Sequence, residues 1–222
     1  MRRWEFITFL GGAASWPLTA RAQDSGKLFR IGFLGSTSAN GLRERMNAFR
    51  DGLRALGHEE GRDIVIESRW ADGHYKRLPK LVAELIAGKV DVIVTHGTPG
   101  ALAAKQATTT IPIVVAVVGD ALNSGVVSNL AKPEANLTGS TFFGPELAGK
   151  RLEILKEAMP NLLTVGVLTN LANPMNEPIM PQMLEVARSR KLTLRQYDAR
   201  SSAGFDGVIS ASTTLPRSAS SL

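Results

Sequence analysis

The stretch Val90-Asp91-Val92-Ile93-Val94-Thr95 is a β-branched apolar run with one charge, and it empties into His96-Gly97-Thr98-Pro99. Gly100 to Thr108 then reads as a helix, and Ile111 to Val118 as a second, nearly uninterrupted apolar strand. Strands this apolar are expected to be covered on both faces. Strand, helix, strand in that order is the unit of a parallel sheet with helices on each side. The fold class that follows is α/β, a doubly wound parallel-sheet lobe.

Upstream, the same unit occurs twice more. Leu28 to Leu34 is a short apolar strand that ends in Gly35-Ser36-Thr37-Ser38. Leu42, Met46, Phe49, Leu53 and Leu56 mark one face of a helix that stops at Gly57, where a left-handed residue costs little. Ile64 to Trp70 is the next strand, and Lys76 to Ala87 a helix with Leu78, Leu81, Val82, Leu85 and Ile86 on its apolar side, closed by Gly88. Downstream, Asn136 to Phe143 supplies a fifth strand, and Pro145 to Ala158 a long helix with Leu147, Leu152, Leu155 and Met159 on one stripe. The pattern then restarts, with Thr164 to Thr169 a strand, Pro178 to Arg190 a helix and Leu192 to Tyr197 another strand.

The restart divides the chain. Residues 23–145 form a first α/β lobe, 146–162 a crossover helix and connection, and 163–200 an incomplete second α/β lobe. Residues 201–222, rich in Ser and Ala, bury too little apolar surface to offset their ordering entropy and are expected to be poorly ordered.

The first twenty-two residues read as an export signal. Arg2 and Arg3 form a charged start, Phe6 to Leu18 is a modest apolar run, and Ala20-Arg21-Ala22 is a small-x-small cleavage site before Gln23. The run is too short, and too rich in Gly and Pro, to span a bilayer, so no membrane anchor is expected. The paired arginines fit a twin-arginine route and the rest fits general secretory export; the location expected is the periplasm.

Composition narrows the function. The 222 residues are 44% hydrophobic and 21% charged, ordinary for a globular chain. Of the net charge of +6, the signal holds +2. The remaining basic residues are scattered, without the basic stripe and interleaved aromatics of a nucleic-acid surface. The absence of cysteine removes disulfides, thiolate metal sites, thiol catalysis and a lipidated cysteine. No dinucleotide or phosphate-loop glycine pattern, no nucleophile elbow and no His-Glu-x-x-His occurs, so neither cofactor nor catalysis is expected.

Ligands of open parallel sheets bind outside the carboxyl ends of the strands. Here those ends are Gly35-Ser36-Thr37-Ser38, Thr95-His96-Gly97-Thr98-Pro99, Gly119-Asp120 and Asn170 to Asn173, four small, polar, hydrogen-bonding loops. Such residues suit a small polar solute held by hydrogen bonds, although they are also what turns are made of. His96 stands at a strand end as either a ligand contact or a packed residue. Asp120 fits either a ligand amino group or a cap for the turn that follows. Trp70 and Tyr75 flank Ala71-Asp72-Gly73 as either an aromatic shelf or edge packing.

Several segments carry a resemblance: Arg2-Arg3-Trp4-Glu5-Phe6, Ile31-Gly32-Phe33-Leu34, Phe49-Arg50-Asp51-Gly52-Leu53, Ile66-Glu67-Ser68-Arg69-Trp70-Ala71-Asp72-Gly73, Gly119-Asp120-Ala121-Leu122-Asn123-Ser124-Gly125 and Lys150-Arg151-Leu152-Glu153-Ile154-Leu155. In order and spacing the chain resembles exported ABC transporter substrate-binding proteins of the tryptophan/tyrosine type. The resemblance implies a type I periplasmic-binding fold with two doubly wound lobes and a solute in the cleft between them. It implies delivery of that solute to an ABC transporter permease. Carried over by position, it places solute contacts on Ser36, Thr37, Thr95, Gly97, Thr98, Gly119, Asp120, Asn170 and Asn173. It also carries the expectations that similarity stops after Ala199 and that the chain is C-terminally truncated relative to its relatives.

Overall fold

The computed structural model describes residues 28–132 and 136–200, together with Gly204, Phe205 and Gly207. The export-signal reading of 1–22 lies outside the described residues, as does nearly all of the 201–222 tail. Five strands form one parallel sheet: β1 (Phe29–Gly35), β2 (Ile64–Trp70), β3 (Val92–Thr95), β4 (Ile113–Gly119) and β5 (Leu137–Phe142), in the order β2-β1-β3-β4-β5. Helices α1 (Arg43–Ala55), α2 (Leu78–Ala87) and α3 (Gly97–Ala107) connect the first four. Helix α4 (Gly144–Ala158) then leads to a second parallel pair, β6 (Thr164–Thr169) and β7 (Thr193–Asp198), with α5 (Asn176–Ser189) between them.

Strand alternation sorts the first sheet's side chains onto two faces. One face carries Leu34, Ile93, Ile113, Val115 and Val118 under α2 and α3, which contribute Leu78, Val82, Leu85, Ala101 and Ala104. The opposite face carries Ile31, Phe33, Ile64 and Val94 under Leu42 and Met46. Helix α1 covers only the β2-β1-β3 half of that face. Val114 and Val117 on β4 are 37% and 42% exposed, so the expectation that this apolar strand is covered on both faces fails there. Among the described residues no helix lies over that part of the sheet.

Strand β4 carries one residue more than its partner. Val115 pairs with Gly139 and Val118 with Thr141, so two residues of β4, Ala116 and Val117, oppose Ser140 alone. This is a β-bulge, and it re-aims the end of the strand.

Helix ends follow local chemistry. Gly57 takes φ +90 and ends α1, as its lack of a Cβ permits. After α2, Lys89 rather than Gly88 takes the left-handed conformation, at φ +54. Three stripe residues are exposed: Leu56 falls beyond the end of α1 and is 78% exposed, Met159 falls beyond the end of α4 and is 51% exposed, and Leu147 on α4 is 43% exposed. Helix α3 starts at Gly97, three residues before the apolar pattern begins, because Gly97-Thr98-Pro99 already forms its first turn.

Around the second pair the core is smaller. Leu152 of α4, Ala187 of α5 and Leu192 are buried, with Val165, Met183, Val186 and Leu194 packed beside them. Gly149 admits this approach, since a Cβ there would stand 3.2 Å from Val186 Cγ2.

Candidate functional site

The carboxyl ends of both sheets face one another, and each loop there has a distinct local cause. Thr95 is fully buried and its hydroxyl donates to the Leu34 carbonyl at 2.9 Å, tying β3 to β1. Ser36, 4% exposed, donates to the His96 carbonyl at 3.3 Å. Thr98 is 1% exposed and its hydroxyl points to the Gly119 carbonyl at 3.5 Å. These three hydroxyls are committed to joining strand ends. Thr37, beside them, is exposed.

Gly100 explains the tight fit. A Cβ on it would overlap Thr95 Oγ1 and stand 3.1 Å from Ser36 Oγ, so α3 rests directly on the ends of β1 and β3. That seat places the first turn of α3 at the carboxyl edge of the first sheet. The Gly97 and Thr98 N–H groups in that turn have no intrahelical acceptor, as at any helix start, and among the described residues the N-cap, His96, makes no side-chain cap hydrogen bond to them. Gly97 takes φ +74, a conformation suited to glycine. The local field there favours an anionic group such as a carboxylate.

Of the two readings of Asp120, the structure adopts the turn cap. Its carboxylate accepts from the Asn123 N–H at 3.1 Å and from Asn123 Nδ2 at 2.6 Å, while its carbonyl accepts from the Ser124 hydroxyl. His96 is packed rather than presented. Its ring stacks on Phe33 at 6.2 Å between centroids, and Nε2 is buried with no hydrogen-bond partner among the described residues. Burial, and then the nearby Arg45 charge, hold its pKa below the usual value, so the ring is neutral at pH 7. Trp70 and Tyr75 do not form one shelf. Trp70 lies over Gly35 and Phe33 on the α1 face, whereas Tyr75 packs on the α2–α3 face.

On the opposing side, the loop after β6 is organised by asparagines. Asn170 Oδ1 accepts from the Ala172 N–H, Asn173 Oδ1 accepts from the Met175 N–H, and Asn176 Nδ2 donates to the Asn170 carbonyl at 2.6 Å. Asn170 also reaches across, its Nδ2 donating to Tyr75 Oη at 3.4 Å. Burial raises the pKa of Tyr75, which keeps that phenol protonated. Met175 crosses as well and lies over Gly119. A Cβ on Gly119 would overlap Met175 Sδ and come within 3.2 Å of Phe142 Cζ.

The structure therefore brings Gly119 and the Asn170–Asn173 loop together, with the first turn of α3 at the same edge. Ser36, Thr95 and Thr98 lie buried at that edge with their hydroxyls bonded to neighbouring carbonyls, and Asp120 caps its own turn. Met175 and Phe142 are not legible as site residues in the sequence. The loop after β6 reads Asn170-Leu171-Ala172-Asn173-Pro174-Met175-Asn176, and nothing in it singles out Met175 over Leu171. A separate apolar cavity under β4 and β5, lined by Val115, Val118, Val126 and Leu137, holds about 50 Å³ and is too small for a solute. Among the described residues no group of three His, Asp or Glu side chains is placed to hold a metal ion.

The loop has a built-in acid sensitivity. The Leu171 N–H donates to Asp198 Oδ1 at 3.0 Å, and Arg200 Nε pairs with Oδ2 at 2.7 Å. The Leu171 hydrogen bond first, and Arg200 after it, hold the Asp198 carboxyl below its ordinary 3.8 against an opposing effect of burial. A folded pKa below the unfolded one means that the contribution is complete above about pH 3.8 and is lost as pH falls through the folded value. Amide exchange at Leu171 is expected to lose protection only below that pH, and in Asp198→Ala at every pH; hydrogen exchange followed by NMR checks both.

The sequence matches the family described as ABC transporter substrate binding protein over residues 30–218. The match passes Ala199, where similarity is expected from the sequence to stop. A tyrosine-binding protein of Clostridioides difficile strain R20291 is 29% identical over 147 residues, which are 66% of this chain and 42% of that protein. A conserved domain protein of Vibrio cholerae O1 biovar eltor is similar in structure, with TM-score 0.74 and 27% identity over 83% of this chain and 62% of its own. An ABC domain from Streptococcus pneumonia, solved in complex with L-Trp, gives TM-score 0.72 and 23% identity over 85% of this chain and 63% of its own, a likeness of fold. The chain thus spans less than two thirds of each of these relatives, and the shared fold is the type I periplasmic-binding one.

Proposed function

Since this chain belongs to the ABC transporter substrate binding protein family, we propose that it is the periplasmic solute-binding component of an importer, taking a small polar organic solute, an amino acid foremost, into the cleft between its two sheets. Residues 23–145 form the first lobe, 163–200 contribute to the second, and 146–162 join them. Residues 1–22 direct export. The solute is then handed to an ABC permease.

The observation that carries this reading is the meeting of two strand-end loop sets at Asn170–Tyr75 and Met175–Gly119. Residues from both sheets thereby line one cleft, as closure around a ligand requires. The chemistry of the edge fits an amino acid. The Gly97 and Thr98 N–H groups at the start of α3 receive a carboxylate, while Thr37 and the side chains of Asn170 and Asn173 supply adaptable hydrogen bonds. The tyrosine-binding relative supports the same solute class. Family members bind solutes rather than transform them, and no catalytic residue is assigned.

Thermal unfolding with a panel of amino acids and small organic acids tests the reading. A ligand specific to the folded state stabilises it by about 2.7 kcal/mol at a hundredfold excess over its Kd. One solute class is expected to raise the midpoint. A cooperative transition that no member of the panel moves would remove the assignment.

A further inference from the structure

Met175 is an apolar side chain that the loop after β6 sends across to the first sheet, and its resting place is specific. It lies where Gly119 has no side chain: a Cβ there would overlap its Sδ and stand 2.7 Å from its Cγ. The tip of the Phe142 ring, 3.2 Å from the same point, closes one side. Gly119 is itself buried at the end of β4, and its carbonyl faces the Thr98 hydroxyl, so the floor is held by backbone that does not give way. Around this point the wall is polar, with Asn170 bound to Tyr75 and Asn173 bound to the Met175 N–H. The notch over Gly119 is thus an apolar recess within a hydrogen-bonding cleft. It already accommodates an unbranched thioether chain against an aromatic edge, a favourable sulfur–aromatic pairing.

We infer that the Gly119 notch is the side-chain subsite of the solute cleft, and that Met175 occupies it as an internal stand-in which an incoming apolar side chain displaces. The inference rests on the solute-binding reading and adds to it a subsite, a side-chain class and a specificity-determining residue. The class follows from the occupant. The notch takes a slim, unbranched or flat apolar group. Methionine suits the role because three rotatable bonds let it withdraw without moving the loop, whose asparagine hydrogen bonds are all to backbone or to Tyr75. While Met175 sits in the notch, apparent affinity equals intrinsic affinity scaled by the vacant fraction.

Calorimetric titration of the full chain, of Met175→Ala and of Gly119→Ala tests this, with L-tyrosine, L-methionine, L-norleucine and L-serine as probes. Vacating the notch is expected to tighten binding of the amino acids with an apolar or flat side chain, by about tenfold if the notch is empty in about one tenth of wild-type molecules. L-serine, which does not reach the notch, is expected to gain nothing. Gly119→Ala fills the notch from below and is expected to weaken the same solutes, opposite in sign to Met175→Ala. Should Gly119→Ala fail to fold, the Met175 ε-methyl resonance of ¹³C-methyl-labelled wild-type protein gives an independent reading. It is expected at a ring-shifted position without solute and at an exposed-methionine position with it. An affinity that is unchanged or lowered in Met175→Ala, an equal gain for L-serine, or a Met175 resonance unmoved by a bound solute overturns the inference and leaves the solute-binding reading standing. Failure of all three proteins to bind any probe overturns both.

Discussion

Replacing Gly100 by valine is expected to destabilise the first sheet by about 3 kcal/mol or more, at the upper end of what forced overpacking costs. The group in the way is not the free end of a flexible side chain. Thr95 Oγ1 is held by the Leu34 carbonyl in a fully buried position, and Ser36 Oγ, the next neighbour, is held by the His96 carbonyl. To accept a side chain at 100, either Thr95 must rotate and lose the Leu34 carbonyl, or α3 must lift off the ends of β1 and β3, drawing His96 away from the Ser36 hydroxyl and the Gly97 and Thr98 N–H groups away from that edge. Urea unfolding is the measurement, with a lowered midpoint at unchanged slope as the expected result. A double-mutant cycle isolates the cause. Thr95→Ala removes the obstructing oxygen, so Gly100→Ala is expected to cost less in that background than in the wild type. Additive losses would show that some other contact carries the effect.

Gly139→Ala is expected to have an effect of the same size, about 3 kcal/mol or more, through a different route. Here the obstacle is main chain. A Cβ on Gly139 would overlap the Val115 carbonyl oxygen and lie 2.9 Å from its carbonyl carbon, at φ +158. Neither β4 nor β5 can yield without losing the ladder between them. The damage is expected to appear at the site as well as in stability, because the Asp120 N–H donates to the Phe142 carbonyl at 2.8 Å and the Ala121 N–H to the Thr141 hydroxyl at 3.0 Å. Hydrogen exchange at Asp120 and Ala121 is expected to accelerate far more than at Ile93 in β3. Equal acceleration would indicate global unfolding alone.

The parallel architecture is legible because its strands are short apolar runs and its helices carry 3.6-residue periodicity. Strands β2 and β6 begin and end where the sequence puts them. Periodicity fails where it is extrapolated past a helix end, as at Leu56, or where it says which residues share a face without saying that anything packs there, as at Leu147 and Val117. The candidate site is legible as an edge and not as a contact list. Small polar residues at strand ends serve equally for holding a solute and for tying strands together, and only coordinates show that Thr95 and Ser36 do the second. Met175 escapes for a further reason: its partner lies in the other sheet, and neither local pattern nor residue type announces a contact between Gly119 and a loop more than fifty positions later.

The extra residue in β4 is absorbed before it reaches the site. Val115 and Val118 both point into the core although three positions separate them, since Ala116 and Val117 share the one step that alternation would allot to a single residue. Everything beyond the bulge therefore keeps the facing that a regular strand would give it. Deleting Ala116 or Val117 would leave one residue opposite Ser140, with Val118 still opposite Thr141 and Gly119 still opposite Phe142. The bulge costs the strand its regular twist and spares the site a reversal. In a strand without it, the same added residue would turn Gly119 over and present its bare face away from Met175.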